Sequence, residues 1–222
     1  MHIVNLDKYE FILLDIDGVI LDQCFDNIFW SKLVPREVAI KCGISLDKAK
    51  IKVQEMGEEL SGTLPWYEIS YWEEFFDIDL IACARRNSSL INFLPNAEFA
   101  LKKISKLKAE VIYLTNCDAR LLQVKSESVP FLKYCSSFQS STDLRLVKED
   151  DSYWPLIYKK FKINPSKSIF LDDNKKIINT AKLSGLSAAY HVLEPTSDGS
   201  VIYRRDNVNS LCRLSDLLKT NS

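Results

Sequence analysis

The chain has 222 residues, with 29 basic and 30 acidic side chains and a formal net charge of -1. Hydrophobic residues make up 46% and charged residues 27%, the balance of a folded chain with a substantial core rather than a disordered one. So even a charge supplies no global field for nucleic acid or an anionic membrane, and neither is expected as a partner.

The N-terminus, MHIVNLDKYE, lacks a basic leader region, and the apolar run FILL that follows is cut short by Asp15 and Asp17. Neither a secretory signal nor a membrane-spanning helix is expected. The six cysteines lie far apart, with no zinc or redox spacing, so each reads as a small buried hydrophobe in a reducing cytoplasm. The two histidines, His2 and His191, are too widely separated to suggest a histidine metal site, and His191 reads as structural.

Phe11–Leu14 is an unbroken apolar run that ends in Asp15-Ile16-Asp17-Gly18. Val111–Leu114 ends in Thr115-Asn116, and Ile169–Leu171 ends in Asp172-Asp173. Short unbroken runs of this kind fit strands buried on both faces of a parallel sheet. In open parallel sheets ligands bind at the carboxyl ends of the strands, so these polar residues are expected along one edge. Helical periodicity lies between the runs: Pro95 to Lys108 before the second, the Trp154, Ile157, Phe161 stripe before the third, and Ile177, Ile178, Ala181 after it, with Gly185 as a stop. Ser187–His191 reads as a further strand. The alternation predicts a doubly wound, Rossmann-like α/β sheet.

Between Asp15 and Thr115 the chain is far longer than the ~30 residues of a simple crossover unit. The excess reads as helices: one capped by Ser45 and closed by Gly62, one opened by Pro65, and one from Ile78 to Leu90. The expected division is a core of residues 1–20 and 91–222 with a small helical cap, 21–90, inserted after the first strand.

Asp15 and Asp17, at i and i+2 on an extended tip, point the same way, and Gly18 permits a sharp turn beyond them. Clustered carboxylates need a cation or phosphate partners, and Mg2+ suits them because it prefers hard oxygen ligands and is often completed by substrate phosphate. One carboxylate could attack phosphorus while the second handles the proton. Thr115 and Asn116 could hold phosphate oxygens through a hydroxyl and backbone N–H groups. Lys148, placed at the start of the Trp154 helix, could neutralise nucleophile and phosphate. Singly, each has a plainer reading as a turn, a strand end, a surface lysine or a helix cap; their order and placement at strand ends favour a site.

In that order, Asp15-x-Asp17-Gly18, Thr115-Asn116, Lys148 and Asp172-Asp173 resemble the four motifs of the haloacid dehalogenase superfamily. The resemblance implies that Asp15 is the nucleophile and Asp17 the general acid/base. It implies that Thr115 and Lys148 bind the phosphoryl group, and that Asp172 and Asp173 complete a Mg2+ site with Asp15 and the Asp17 backbone carbonyl. An acid/base aspartate at position 17 disfavours dehalogenation. Phe25 to Trp30, Leu33-Val34-Pro35, Gly62-Thr63-Leu64, Trp66-Tyr67 and Tyr71-Trp72 further resemble the bacterial GMP/IMP nucleotidase branch. A purine nucleoside monophosphate is therefore the expected substrate, with Phe25, Trp30, Trp66 and Tyr67 as candidate contacts. A phosphosugar phosphatase or mutase, or a catalytically silent phosphate-binding protein, stays open.

Overall fold

A computed structural model describes residues 4–205 and 208–218. His2 lies outside the described residues. In chain order the regular elements are β1 (Phe11–Leu14), α1 (Cys24–Ile28), α2 (Val34–Cys42), α3 (Leu46–Leu60), α4 (Leu64–Tyr67), α5 (Ile69–Phe76), α6 (Leu80–Arg86) and α7 (Ala97–Ile104). They continue with β2 (Glu110–Thr115), α8 (Ala119–Ser128), β3 (Ser137–Ser140), α9 (Ser141–Leu144), α10 (Tyr153–Phe161), β4 (Ser168–Asp172), α11 (Lys175–Leu183), β5 (Ala188–Val192) and β6 (Ser210–Leu211).

The strands form one parallel sheet in the order β3-β2-β1-β4-β5-β6, so β1 lies at its centre. Side-chain alternation splits the apolar runs between the two faces. Ile12, Leu14, Val111, Tyr113, Ile169 and Leu171 join one core, while Leu13, Ile112, Leu114 and Phe170 join the other with Trp154 and Ile157 of α10 and Ile177 and Ile178 of α11. Burial on both faces explains why these strands read as continuous apolar runs. This is the predicted α/β architecture.

All of α1 to α6 lie between β1 and β2. Ser45 accepts from the Lys48 N–H at the start of α3, and Gly62, with φ +76°, follows its end. The helix opened by Pro65 stops after one turn, at Glu68, and α5 begins afresh. Its first N–H, that of Ile69, is taken by Asp118 Oδ2 at 3.0 Å, so a residue beyond β2 caps a helix from this insert. The expected Ile78–Leu90 helix is α6 plus a separate 3-10 turn, Ser88–Leu90. Between α1 and α2 the backbone makes a π-helical turn, Phe29–Leu33. Apolar residues of this insert, among them Phe25, Phe29, Val53 and Trp72, run without a break into the core on the β1 face.

Candidate active site

Register assembles the centre. Leu14 pairs with Tyr113 on one side and Leu171 on the other, so the next residue, Asp15, comes level with Leu114 and Asp172. The Asp15 N–H donates to Leu171 O at 2.9 Å, holding it there. Beyond it the chain turns through Gly18 at φ +81°. A Cβ at that position would stand 2.7 Å from Asp173 Cγ, so only glycine lets this turn lie against the acidic pair.

Lys148 is the hub of the cluster. Its ammonium donates to Asp15 Oδ1 at 2.6 Å, Asp172 Oδ2 at 2.7 Å and Leu114 O at 3.0 Å, with only 1% of the residue exposed. Contrary to the sequence expectation it does not start α10 but lies in the preceding turn, where Trp154 Nε1 donates to its carbonyl at 3.1 Å. Asp15, Asp172 and Asp173 each offer an oxygen within 4.8 Å of one another. Fully ionised, three carboxylates against one ammonium would leave two negative charges in a buried space.

Electrostatics records the strain of that arrangement. Burial pushes Asp15 up to about 8, against the pull of Lys148 and with a further push from Asp172. Asp173 is raised well above the usual carboxylate range by burial and by the charges of Asp172 and Asp15. Burial works against the Lys148 charge, but Asp15 and Asp172 outweigh it and hold the ammonium protonated. Oxygen-rich, crowded and short of positive charge, this donor set fits a hard divalent cation. Asp172 has both oxygens engaged, Oδ2 by Lys148 and Oδ1 by the Asn174 N–H at 2.7 Å. Asp173 accepts a bond on Oδ2 from Gln23 at 2.9 Å, which leaves it the more available of the two.

Thr115 and Asn116 sit beside this cluster. Thr115 Oγ1 accepts from the Cys117 N–H at 3.0 Å, and its own hydrogen remains to be donated. The Asn116 side chain is committed to protein: Oδ1 accepts from Ser141 Oγ and the Lys148 N–H, and Nδ2 donates to Glu149 Oε2 at 2.8 Å. Tyr67 of α4 donates to the other Glu149 oxygen at 2.9 Å. His191 is paired in register with Asp172; its Nε2 lies 2.9 Å from Asp173 O, and its Nδ1 has no partner among the described residues.

A cavity of 1470 Å³ opens over the cluster, lined at its base by Asp15, Asp17, Thr115, Lys148, Asp172 and Asp173. Trp30, Trp66, Tyr67 and Trp72 supply aromatic wall. Trp30 and Trp66 lie nearly parallel, 18° apart with centroids at 6.4 Å. The Trp66 ring rests on Gly57, inside α3, where a Cβ would approach Cζ3 to 2.8 Å. A helix-interior glycine costs about 1 kcal/mol relative to alanine, and here it makes room for an indole. Phe25 is not in the cavity wall: it is buried in the core, stacked on Phe29.

Sequence reasoning missed Lys125, which reaches Asp17, and Asp26, which holds Lys125 from α1. Lys125 of α8 donates to Asp17 Oδ1 at 2.7 Å and to both oxygens of Asp26 at 2.8 and 2.9 Å. A usable signal was present, since Lys125 stands four residues after Leu121 on the apolar stripe of its helix.

No family model matches the chain. It is 27% identical over 198 residues, 89% of each chain, to the GMP/IMP nucleotidase YrfG of Escherichia coli K12, and equally to that of Shigella flexneri. Among solved structures it matches a HAD phosphatase from Thermococcus onnurineus with TM-score 0.79 and 18% identity, covering 94% of this chain and 95% of that one. It also matches the L-2-haloacid dehalogenase of Xanthobacter autotrophicus with chloropropionic acid covalently bound, at TM-score 0.59 and 13% identity over 94% and 96%. One fold thus carries both phosphatases and dehalogenases, and the residues of the site must decide between them. In fold this chain is of the haloacid dehalogenase type, and in sequence it resembles the GMP/IMP nucleotidase branch of that superfamily.

Proposed function

We propose that the protein is a Mg2+-dependent phosphate-monoester hydrolase acting on purine nucleoside 5′-monophosphates, IMP and GMP foremost, with residues 21–90 serving as its cap. The observation that carries this reading is the convergence of Asp15, Asp172, Asp173 and Lys148 at the floor of a cavity with an indole wall. A carboxylate oxygen of Asp15 attacks phosphorus, forming an aspartyl-phosphate as the ester P–O bond breaks. Asp17 gives its proton to the leaving ribose oxygen, then takes one from the water that hydrolyses the acyl phosphate and frees inorganic phosphate. Lys148, with the Thr115 hydroxyl and the backbone N–H of Asn116, balances charge on the phosphoryl oxygens. Asp15, Asp173 and the Asp17 carbonyl would hold Mg2+, with Asp172 behind them; when bound, the ion neutralises negative charge on the phosphoryl group. Nucleoside and inorganic phosphate are the products.

Phosphate release from a panel of IMP, GMP, AMP, pyrimidine monophosphates and sugar phosphates tests the substrate class. Preference for a sugar phosphate would overturn the nucleotide assignment, and EDTA should abolish turnover reversibly. For the base, Trp66→Ala should raise KM for IMP by roughly 5- to 150-fold, since stacking on an aromatic ring is worth ~1–3 kcal/mol. KM for a small phenyl phosphate should change little; equal rises for both would remove the stacking assignment.

Cation binding also predicts a pH signature in stability. Asp15 lies at 3.8 as its ordinary value and at about 8 in the fold. Between those values the native state binds more protons than the unfolded chain, so cation-free stability falls as pH rises from 4 to 8. Mg2+ favours the ionised form and should therefore raise Tm more at pH 8 than at pH 5. Thermal melts with Mg2+ and with EDTA at the two pH values check this; an equal shift at both would count against these carboxylates as ligands.

A further inference from the structure

Lys125 occupies a position where a hydrophobe would pack. On α8 it shares the buried face with Leu121 and Leu122, and only 1% of it is exposed. Its ammonium joins three segments: the turn after β1 through Asp17, α1 through Asp26, and α8 itself. It also lies over the Phe25 ring, 5.6 Å from the centroid. Taking an ammonium out of water is unfavourable unless it is well paired, and here three short bonds to two carboxylates pair it. Packing alone does not require a charged residue there. Asp26 grips the ammonium with both oxygens, so Lys125 is braced from the insert while it holds a single oxygen of Asp17. Asp17 and Asp26 both line the cavity.

We propose that Lys125, anchored by Asp26, is a positioning residue for Asp17: it fixes Oδ1 of that carboxyl group and makes its placement conditional on the seating of α1. This rests on the reading of Asp17 as the group that protonates the leaving oxygen. Without the brace the Asp17 side chain is free to rotate away from the ester oxygen and is repelled by Asp26. Proton delivery then fails before phosphate binding does.

Leaving-group dependence separates this from a structural role. An alkyl ester such as IMP needs a proton on its departing oxygen, whereas p-nitrophenolate departs unaided. The ratio kcat/KM, which reports events up to phosphoryl transfer, is measured for both esters, with β-glycerophosphate as the alkyl ester if IMP is not turned over. Asp17→Asn should lose about 10²–10⁴-fold on the alkyl ester and far less on p-nitrophenyl phosphate. Lys125→Met should show the same bias, about tenfold or more against under about threefold. Lys125→Arg should restore part of the loss, and Asp26→Asn should share the bias at smaller size. If Asp17→Asn shows no bias, or wild-type protein hydrolyses neither ester, the reading of Asp17 fails and this proposal with it. If Asp17→Asn is biased but folded Lys125→Met is not, the proposal alone is overturned. Should Lys125→Met not fold, as judged by circular dichroism melts, Asp26→Asn and Lys125→Arg decide: biased losses support the brace and equal losses on both esters refute it.

Discussion

Asp15→Asn should lower turnover by at least about four orders of magnitude, because a carboxamide cannot serve as the nucleophile and removal of a nucleophile removes the whole covalent route. The substitution keeps the shape of the side chain and removes a charge that burial disfavours. Cation-free Asp15→Asn protein should therefore melt at or above the wild-type temperature at pH 8, with a smaller response to Mg2+. Loss of activity would then coincide with gain of stability, a combination that misfolding cannot produce. Phosphate-release assays and melts on the same preparation provide the check. Near-wild-type hydrolysis by Asp15→Asn would overturn the assigned nucleophile.

Lys148→Met should act in the opposite sense on stability. The ammonium bonds Asp15, Asp172 and a main-chain carbonyl in a fully enclosed space. Its removal leaves buried carboxylates uncompensated, and breaking a buried pair from one side costs roughly 3–5 kcal/mol. Urea denaturation of the cation-free variant should show that loss near neutral pH. The deficit should shrink as pH falls and the carboxylates take up protons. Activity should fall on the order of a thousandfold even with saturating Mg2+, because a preorganised positive charge at the phosphoryl oxygens is lost. A variant as stable as wild type at every pH would show that Lys148 is not the counter-charge of this cluster.

Much of this architecture is legible in the chain because β1, β2 and β4 are each buried on both faces and appear as unbroken apolar runs ending in polar residues. The edge strands β3 and β6 carry no such mark. In β3, Ser137–Ser140, Phe138 is the only large hydrophobe and is itself exposed, and β6 has two residues. Long-range bonds are equally hidden: the break at Glu68 is matched by Asp118, 49 positions beyond Ile69, capping the helix that follows. Within the site, order and placement single out Asp15, Asp17, Thr115, Asn116, Lys148, Asp172 and Asp173, and all seven line one cavity. Lys125 and Asp26 escaped because a lone lysine or aspartate on a helix is ordinarily a solvated residue. Only the packing of α8 against the turn after β1 turns that pair inward. Phe25 was read as a substrate contact because aromatic residues crowd that stretch. One helical turn separates it from Phe29, which instead joins it in the core.

The π-helical turn at Phe29–Leu33 bears on how such a scaffold can change. A wide turn holds one residue more than an α-helical one, so the rod from Cys24 to Cys42 changes phase by about 100° partway along. Upstream of the offset the helix presents Asp26 toward Lys125; downstream it lays Val34 and Val38 into the core. Excising a single residue from this turn would straighten the rod and swing one of those two surfaces out of alignment with its mate. Length variation among relatives should therefore be least tolerated in these five positions, and more freely accepted in the tract around Gly199, where the chain is exposed.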